Sequence, residues 1–215
     1  MRPNIRGLAL AGLFILLLYP TMASAGHRDT LPTNPKDICP LLIGNAIPAV
    51  TLQDSEGRTI RLDQLTRGKP TILIFYRGGW CPYCNIQLAD LGRIEPDLLR
   101  LGYQLVAISM DSPRFLRETR QKHAINYTLL SDSDANAAKA FGLAWRLEEP
   151  TFDQYRSLGF DIEQASGRKH HILPVPATFV VGTDGLISFA YVHPDFRIRV
   201  DGDVLLAAAR AGLKP

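Results

Sequence analysis

The sequence predicts an α/β protein, a three-layer sandwich with one sheet between two layers of helices. Three observations carry this. "TILIFY", Thr71–Tyr76, is an unbroken β-branched and aromatic run, the pattern of a strand buried on both faces. Strand-like and helix-like segments then alternate, as parallel strands joined by crossover helices do. Last, "ATFVV", the turn Thr183-Asp184-Gly185 and "LISFAYV" read as an antiparallel hairpin.

The elements follow in order. Ala49–Leu62 alternates apolar and polar residues around Glu56-Gly57, which predicts an N-terminal β-hairpin. "DQLTRGKP" reads as a short turn of helix and a loop before Thr71. A helix is expected from Pro82, because proline suits a first helical position, where no N–H is needed. Leu88, Leu91 and Ile94 keep helical spacing, and Pro96 is expected to bend or restart the helix. Tyr103–Met110 is the next strand. Ser112-Pro113 opens a helix, "YTLLSD" is a short strand, and "SDANAAKAFG" is a helix closed by Gly142. Residues 145–170 break this rhythm. They are polar and read as one insertion, with a helix from about Pro150 to Leu158 that carries Tyr155 as a packing residue. "DGDVLLAAARAGL" is a closing helix.

Bulk composition narrows the function. The chain has 215 residues, 46% hydrophobic and 21% charged, as globular domains do. A formal charge of +3 without a Lys/Arg stripe argues against nucleic acid as a partner. Residues 1–25 stand apart. Arg2 and Arg6 precede an apolar stretch of 13 residues, Gly7–Tyr19, and Ala23-Ser24-Ala25 fits a cleavage site. This predicts a secretory signal cleaved after Ala25, export to the periplasm or beyond, and no stable membrane insertion afterwards. A retained anchor is the competing reading. Residues 26–42 are an irregular lead-in, and 43–215 form the domain.

The chemistry centres on "FYRGGWCPYCN", where Cys81 and Cys84 stand in Cys-x-x-Cys spacing between the buried strand and a helix start. Unpaired N–H groups and a partial positive charge at a helix start favour thiolate over thiol. Cys84, one turn on, is placed to resolve a mixed disulfide or a sulfenic acid formed at Cys81. Cys39 is a third cysteine, free to act as a further redox partner, pair between subunits or stay buried. A zinc site needs four ligands, and neither Cys39 nor His170-His171 has the spacing to complete one. Haem attachment needs a histidine where Asn85 stands. An inert staple across so short a loop stabilises little. No metal or other cofactor is called for. Arg77 is a candidate to stabilise the thiolate or polarise a peroxide oxygen, and Trp80 to pack over the site's edge. Asp195 and Arg197 have no evident local role. Pro176, about 95 residues after the pair, precedes a strand. In cis it would shape a groove for an extended substrate; in trans it would merely open an edge strand.

The order of elements is the plan of a thioredoxin-like domain. "FYRGGWCPYCN", "AFGLAWRL", the "LPVPATFVV" hairpin and "VTLQDSEGRTIRL" resemble the peroxiredoxin-like branch of the alkyl hydroperoxide reductase/thiol-specific antioxidant family, from about Ile43 to Leu213. The resemblance implies a thiol oxidoreductase with Cys81 in the place of the peroxidatic cysteine, while the Cys-x-x-Cys and a cis-proline at Pro176 would be features of thioredoxin-like proteins. It implies hydroperoxide reduction with electrons from an external thiol donor, a thioredoxin-like protein or a small thiol. The family's Pro-x-x-x-Thr-x-x-Cys motif is altered, with Ile74 and Gly78 at the Pro and Thr positions. An arginine that the family carries on a later strand is replaced by Pro176. Thiol–disulfide exchange on other proteins and a non-catalytic metal-binding module are the alternative readings.

Overall fold

The computed structural model describes residues 30–213. Residues 1–25, expected to be a signal segment, and the first residues of the lead-in lie outside the described residues. The elements are β1 (Thr51–Gln53), β2 (Thr59–Arg61), α1 (Leu62–Thr66), β3 (Thr71–Phe75), α2 (Pro82–Arg100), β4 (Gln104–Ser109), α3 (Pro113–His123) and β5 (Thr128–Ser131). Then come α4 (Asn136–Ala140), β6 (Ala144–Arg146), α5 (Glu149–Ser157), α6 (Ile162–Ser166), β7 (Ile172–Pro174), β8 (Ala177–Val181), β9 (Ile187–Val192) and α7 (Gly202–Gly212).

Every residue of β3 is buried, as its composition requires. It lies between β4, parallel to it, and β8, antiparallel to it, in a seven-stranded sheet of order β2-β1-β5-β4-β3-β8-β9. Its side chains alternate between two cores. Ile72 and Ile74 pack with Leu88 and Leu91 of α2, Leu116 of α3 and Leu205 of α7. Leu73 and Phe75 pack on the other face with Leu62 of α1 and with Ala137 and Phe141 around α4. Each fully buried Leu, Ile or Phe contributes about 1.5–3 kcal/mol, so both helical layers are held by burial. The three-layer, thioredoxin-like plan is the one the sequence predicts.

Three features differ from the expectations. The helix does not restart at Pro96; α2 runs unbroken from Pro82 to Arg100 with Pro96 inside it. Pro96 and Gly92, whose carbonyl loses its helical partner, are both exposed, so that carbonyl is open to solvent. Pro176 is trans, since no cis peptide occurs among the described residues. The chain passes almost directly from β7 into β8, and Val175 N–H donates to the Leu143 carbonyl at 2.9 Å, so nothing forces the costlier isomer. The insertion is also more ordered than its polar sequence implied. It holds α5 and α6, and the flanking β6 and β7 pair into a separate two-stranded sheet. A third core lies beneath it, made of Met110, Ala138, Leu147, Phe152, Ile162 and Leu173.

Gly142 ties the lead-in to the domain. It ends α4 at φ +67°, and a Cβ there would stand 1.8 Å from the Cys39 carbonyl oxygen. The lead-in therefore rests directly on its backbone. Gly142→Ala is expected to destabilise the domain by about 2 kcal/mol or more, through the left-handed conformation and the clash with main chain. Urea unfolding of the variant beside the parent chain measures this; equal midpoints would show that the contact is dispensable.

Candidate active site

The loop after β3 leaves the sheet at the carboxyl end of its parallel strands, where α/β folds commonly place ligand sites. Tyr76 N–H donates to the Ile108 carbonyl at 3.0 Å and extends the sheet by one residue. Asp111, just past β4, accepts Gly79 N–H on Oδ2 at 2.7 Å. Asn85 Nδ2 donates to the Gly79 carbonyl at 2.9 Å. The glycines are demanded by space. A Cβ on Gly79 would lie 1.9 Å from Thr119 Oγ1, and one on Gly78 would lie 2.3 Å from the Trp80 indole nitrogen and 2.6 Å from Asp111 Oδ1. The position where the family carries threonine is thus filled here by the indole and a carboxyl.

Cys81 is the N-cap of α2 and Pro82 its first residue. Both cysteines are thiols and both are buried, Cys81 at 1% exposure. The Cys84 thiol, donating to the Cys81 sulfur, lowers the Cys81 pKa to about 6. Burial opposes this, and Arg77, the Cys84 N–H and Arg199 reinforce it. Cys84 moves the other way: burial and the neighbouring Cys81 push its thiol well above the ordinary value. The two sulfurs, one helical turn apart, are thereby divided into a thiolate and a thiol.

Arg77 is buried, with Nη1 4.0 Å from the Cys81 sulfur. Its guanidinium carbon lies over the rings of Phe196 at 4.1 Å, Trp80 at 4.9 Å and Tyr155 at 5.0 Å. Cation–π attraction strengthens when the cation is desolvated, as it is here. Trp80 also packs on Tyr155 and Phe160 of the insertion, with centroids 6.2 and 5.6 Å apart. Phe196 belongs to a strap, residues 193–200, between β9 and α7. Within it Asp195 and Arg197 form an ion pair at 2.7 Å, which is their local role. Further along the strap, Arg199 donates from Nε to Gln87 Oε1 at 2.7 Å and from Nη2 to the Cys84 sulfur at 3.6 Å.

Of the residues singled out in the sequence, Arg77, Trp80, Cys81, Pro82 and Cys84 come together. Pro176 is buried and, by register, level with Tyr76 at the same end of the sheet. Cys39 is exposed, and its neighbours Ile38 and Leu41 pack against the core on the far face from Cys81. His170 and His171 knit the insertion, bonding the Ser133 carbonyl and Glu163, each at 2.8 Å. Asp111, Phe196, Arg199 and the caging role of Tyr155 had no clear motif. Asp111 alone had a positional signal, an acid at the end of a parallel strand beside the cysteine loop.

A reactive thiol pair at a helix start on a thioredoxin-like sheet defines a thiol-based oxidoreductase. The chain belongs to the AhpC/TSA family, which it matches over residues 43–190. It is 33% identical to a putative peroxiredoxin bcp of Haemophilus influenzae over 129 residues, 59% of this chain and 82% of that protein. It is 29% identical to peroxiredoxin Bcp of Escherichia coli over 136 residues, 62% of this chain and 85% of that protein. Among solved structures it superposes on peroxidoxin BcpB of Mycobacterium tuberculosis with a TM-score of 0.61 at 22% identity, covering 80% of this chain and 98% of that one. A reduced Prx3 of Vibrio vulnificus, solved with hydrogen peroxide, superposes with a TM-score of 0.64 at 18% identity, covering 79% and 99%.

The support under the loop carries a pH signature. Burial raises the Asp111 carboxyl to about 7, against the Gly79 N–H and Ser109 hydroxyl bonds that favour its charge. Asp132, buried beneath α4, is likewise raised to about 7. A carboxyl whose folded pKa is raised stabilises most below its unfolded pKa near 3.8, and that contribution is lost as pH climbs through about 7. Asp111→Asn keeps an acceptor for Gly79 and removes one such group. The loss of stability between pH 5 and pH 8 should shrink by about 1–3 kcal/mol, since a tenfold change in proton affinity is ~1.4 kcal/mol. Denaturant titrations at the two pH values measure it, and an unchanged difference would refute the assignment.

Proposed function

We propose that Cys81 is the peroxidatic cysteine and Cys84 the resolving cysteine of a hydroperoxide reductase. One observation carries this reading: the buried Arg77 guanidinium, caged by three aromatic rings, lies 4.0 Å from a sulfur at a helix N-cap. A desolvated cation with a thiolate before it supplies a nucleophile and a group to hold the charge leaving on oxygen. The Cys81 thiolate attacks the terminal oxygen of R–O–OH. Two electrons pass from sulfur, the O–O bond breaks, and RO⁻ takes a proton to give ROH. Cys81 is left as a sulfenic acid. Cys84 then attacks it, water departs, and the Cys81–Cys84 disulfide forms. An external thiol reductant, a thioredoxin-like protein or a small thiol, returns both cysteines to thiols. A small hydroperoxide suits this site better than a protein disulfide, because Cys81 is only 1% exposed.

Stopped-flow oxidation of the reduced protein by hydrogen peroxide tests the assignment. The rate should exceed that of a free thiol by at least about 100-fold and rise with pH through a midpoint near 6, where Cys81 becomes thiolate. Arg77→Met should slow it by about 10–100-fold and move the midpoint upward. Oxidation no faster than a free thiol would sink the reading.

We also propose that residues 1–25 direct export and are removed after Ala25, on the strength of the Arg2/Arg6, apolar and Ala-Ser-Ala pattern. Fractionation of bacterial cells expressing the full chain should recover a periplasmic or secreted protein whose N-terminus is Gly26. An intact N-terminus in the cytosol, or in the membrane as a retained anchor, would overturn this.

A further inference from the structure

We infer that Arg199 is a further catalytic residue, holding the negative charge on the Cys84 sulfur while it attacks oxidised Cys81. The inference rests on the assignment of Cys84 as resolving cysteine.

The argument begins with geometry. Arg199 stands on the strap, 115 residues from Cys84 in sequence, yet places Nη2 3.6 Å from its sulfur. The guanidinium is fixed on its other sides. Nε donates to Gln87 Oε1 at 2.7 Å, and Nη1 donates to the carbonyls of Phe196 and of Ile198, the latter at 3.0 Å. Gln87 is itself buried on α2, one turn beyond Cys84. Arg199 is aimed at that sulfur by partners on three sides, and the planar guanidinium fork suits such a fixed role.

Chemistry then says when it acts. Cys84 is fully buried and faces Cys81 across the helix turn, the Tyr76 phenol at the end of β3, the Asp111 carboxyl beyond β4, and Arg199 from the strap. The Tyr76 hydroxyl makes no hydrogen bond, and Cys81 and Asp111 bear negative charge when ionised; the groups that favour an anion at Cys84 are the Arg199 guanidinium and the Arg77 backbone N–H, and of these only Arg199 brings a charge to it. In the reduced protein Cys84 stays a thiol and donates to the Cys81 thiolate. Once Cys81 is a sulfenic acid its negative charge is gone, and Cys84 must become the nucleophile. The step balances as Cys84–SH plus Cys81–SOH giving the disulfide and water: the S–S bond forms, the S–O bond breaks, and the Cys84 proton leaves with the hydroxyl. Throughout that transfer the forming charge on Cys84 faces Arg199. Two arginines thus stand at the pair, with the Arg77 guanidinium beside the Cys81 sulfur and the Arg199 guanidinium beside the Cys84 sulfur.

Arg199→Gln and Arg199→Lys separate the steps. The reduced full-length protein is mixed with hydrogen peroxide, quenched at intervals with an alkylating agent and mass-mapped for sulfenic acid and disulfide. Arg199→Gln should slow disulfide formation by about tenfold or more and Cys81 oxidation by a clearly smaller factor, since Arg199 is the last and smallest influence on the Cys81 thiolate, with Lys recovering part of the loss. In a Cys81→Ser background, ultraviolet thiolate absorbance should show the Cys84 titration moving upward by about one pH unit or more on Arg199→Gln. Disulfide formation at the parent rate, or an unmoved Cys84 titration, overturns the inference. So does equal slowing of both steps with a lowered melting temperature, which would make Arg199 a fastener of the strap. If the parent protein forms no Cys81 sulfenic acid at all, the peroxidatic assignment fails instead. The Cys84 titration still judges Arg199 in that case.

Discussion

The site depends on a buried cation. A guanidinium taken out of water must be compensated, because the desolvation penalty of an unpaired buried charge is several kcal/mol. Arg77 meets that requirement with three ring faces and one sulfur. The rings come from three parts of the chain: Trp80 from the cysteine loop, Tyr155 from the insertion and Phe196 from the strap. The two segments that look like additions to the sandwich are therefore the ones that exclude water from the site. A thiolate at Cys81 is also the state that best matches this cation, so reduction state and packing are coupled.

Beneath the cage the backbone is held by a second buried group of opposite character. Asp111 fixes the Gly79 N–H, and with the Trp80 indole it occupies the space beside Gly78. The family threonine at this position would need a Cβ where the indole nitrogen stands. Glycine at 78 therefore reflects a different arrangement of polar groups around the cysteine. The arginine that the family carries on a later strand is likewise absent there, and cationic groups reach the sulfurs from the cysteine loop and the strap.

Much of this fold was legible because its signals are local. The β3 run, proline at the start of α2, glycine after α4 and the Thr183-Asp184-Gly185 turn each act through the backbone of a few residues. Pro96 does not end α2 because it lies on the solvent face, which tolerates the lost bond. Pro176 misled because isomer choice is made by the path from β7 to β8, which only the folded chain defines. Among site residues, the cysteine loop was readable from spacing. Tyr155, Phe196 and Arg199 were not, because their roles exist only through contacts spanning roughly 70 to 120 positions, as the separation of 115 between Arg199 and Cys84 illustrates.

The division of the two cysteines follows from unequal surroundings. Desolvation raises both thiols, but it is the largest influence on Cys84 and is outweighed at Cys81 by the hydrogen bond from the Cys84 thiol. The choice is made by direction. At the N-cap, Cys81 receives the Cys84 thiol, the Cys84 N–H and the Arg77 charge together, whereas Cys84 faces the charge that this creates. Removing the negative charge from Cys81 removes the second half of that inequality. In the proposed cycle, oxidation of Cys81 is therefore also the event that releases Cys84 to ionise. The order of the two steps is built into the electrostatics of one helix turn.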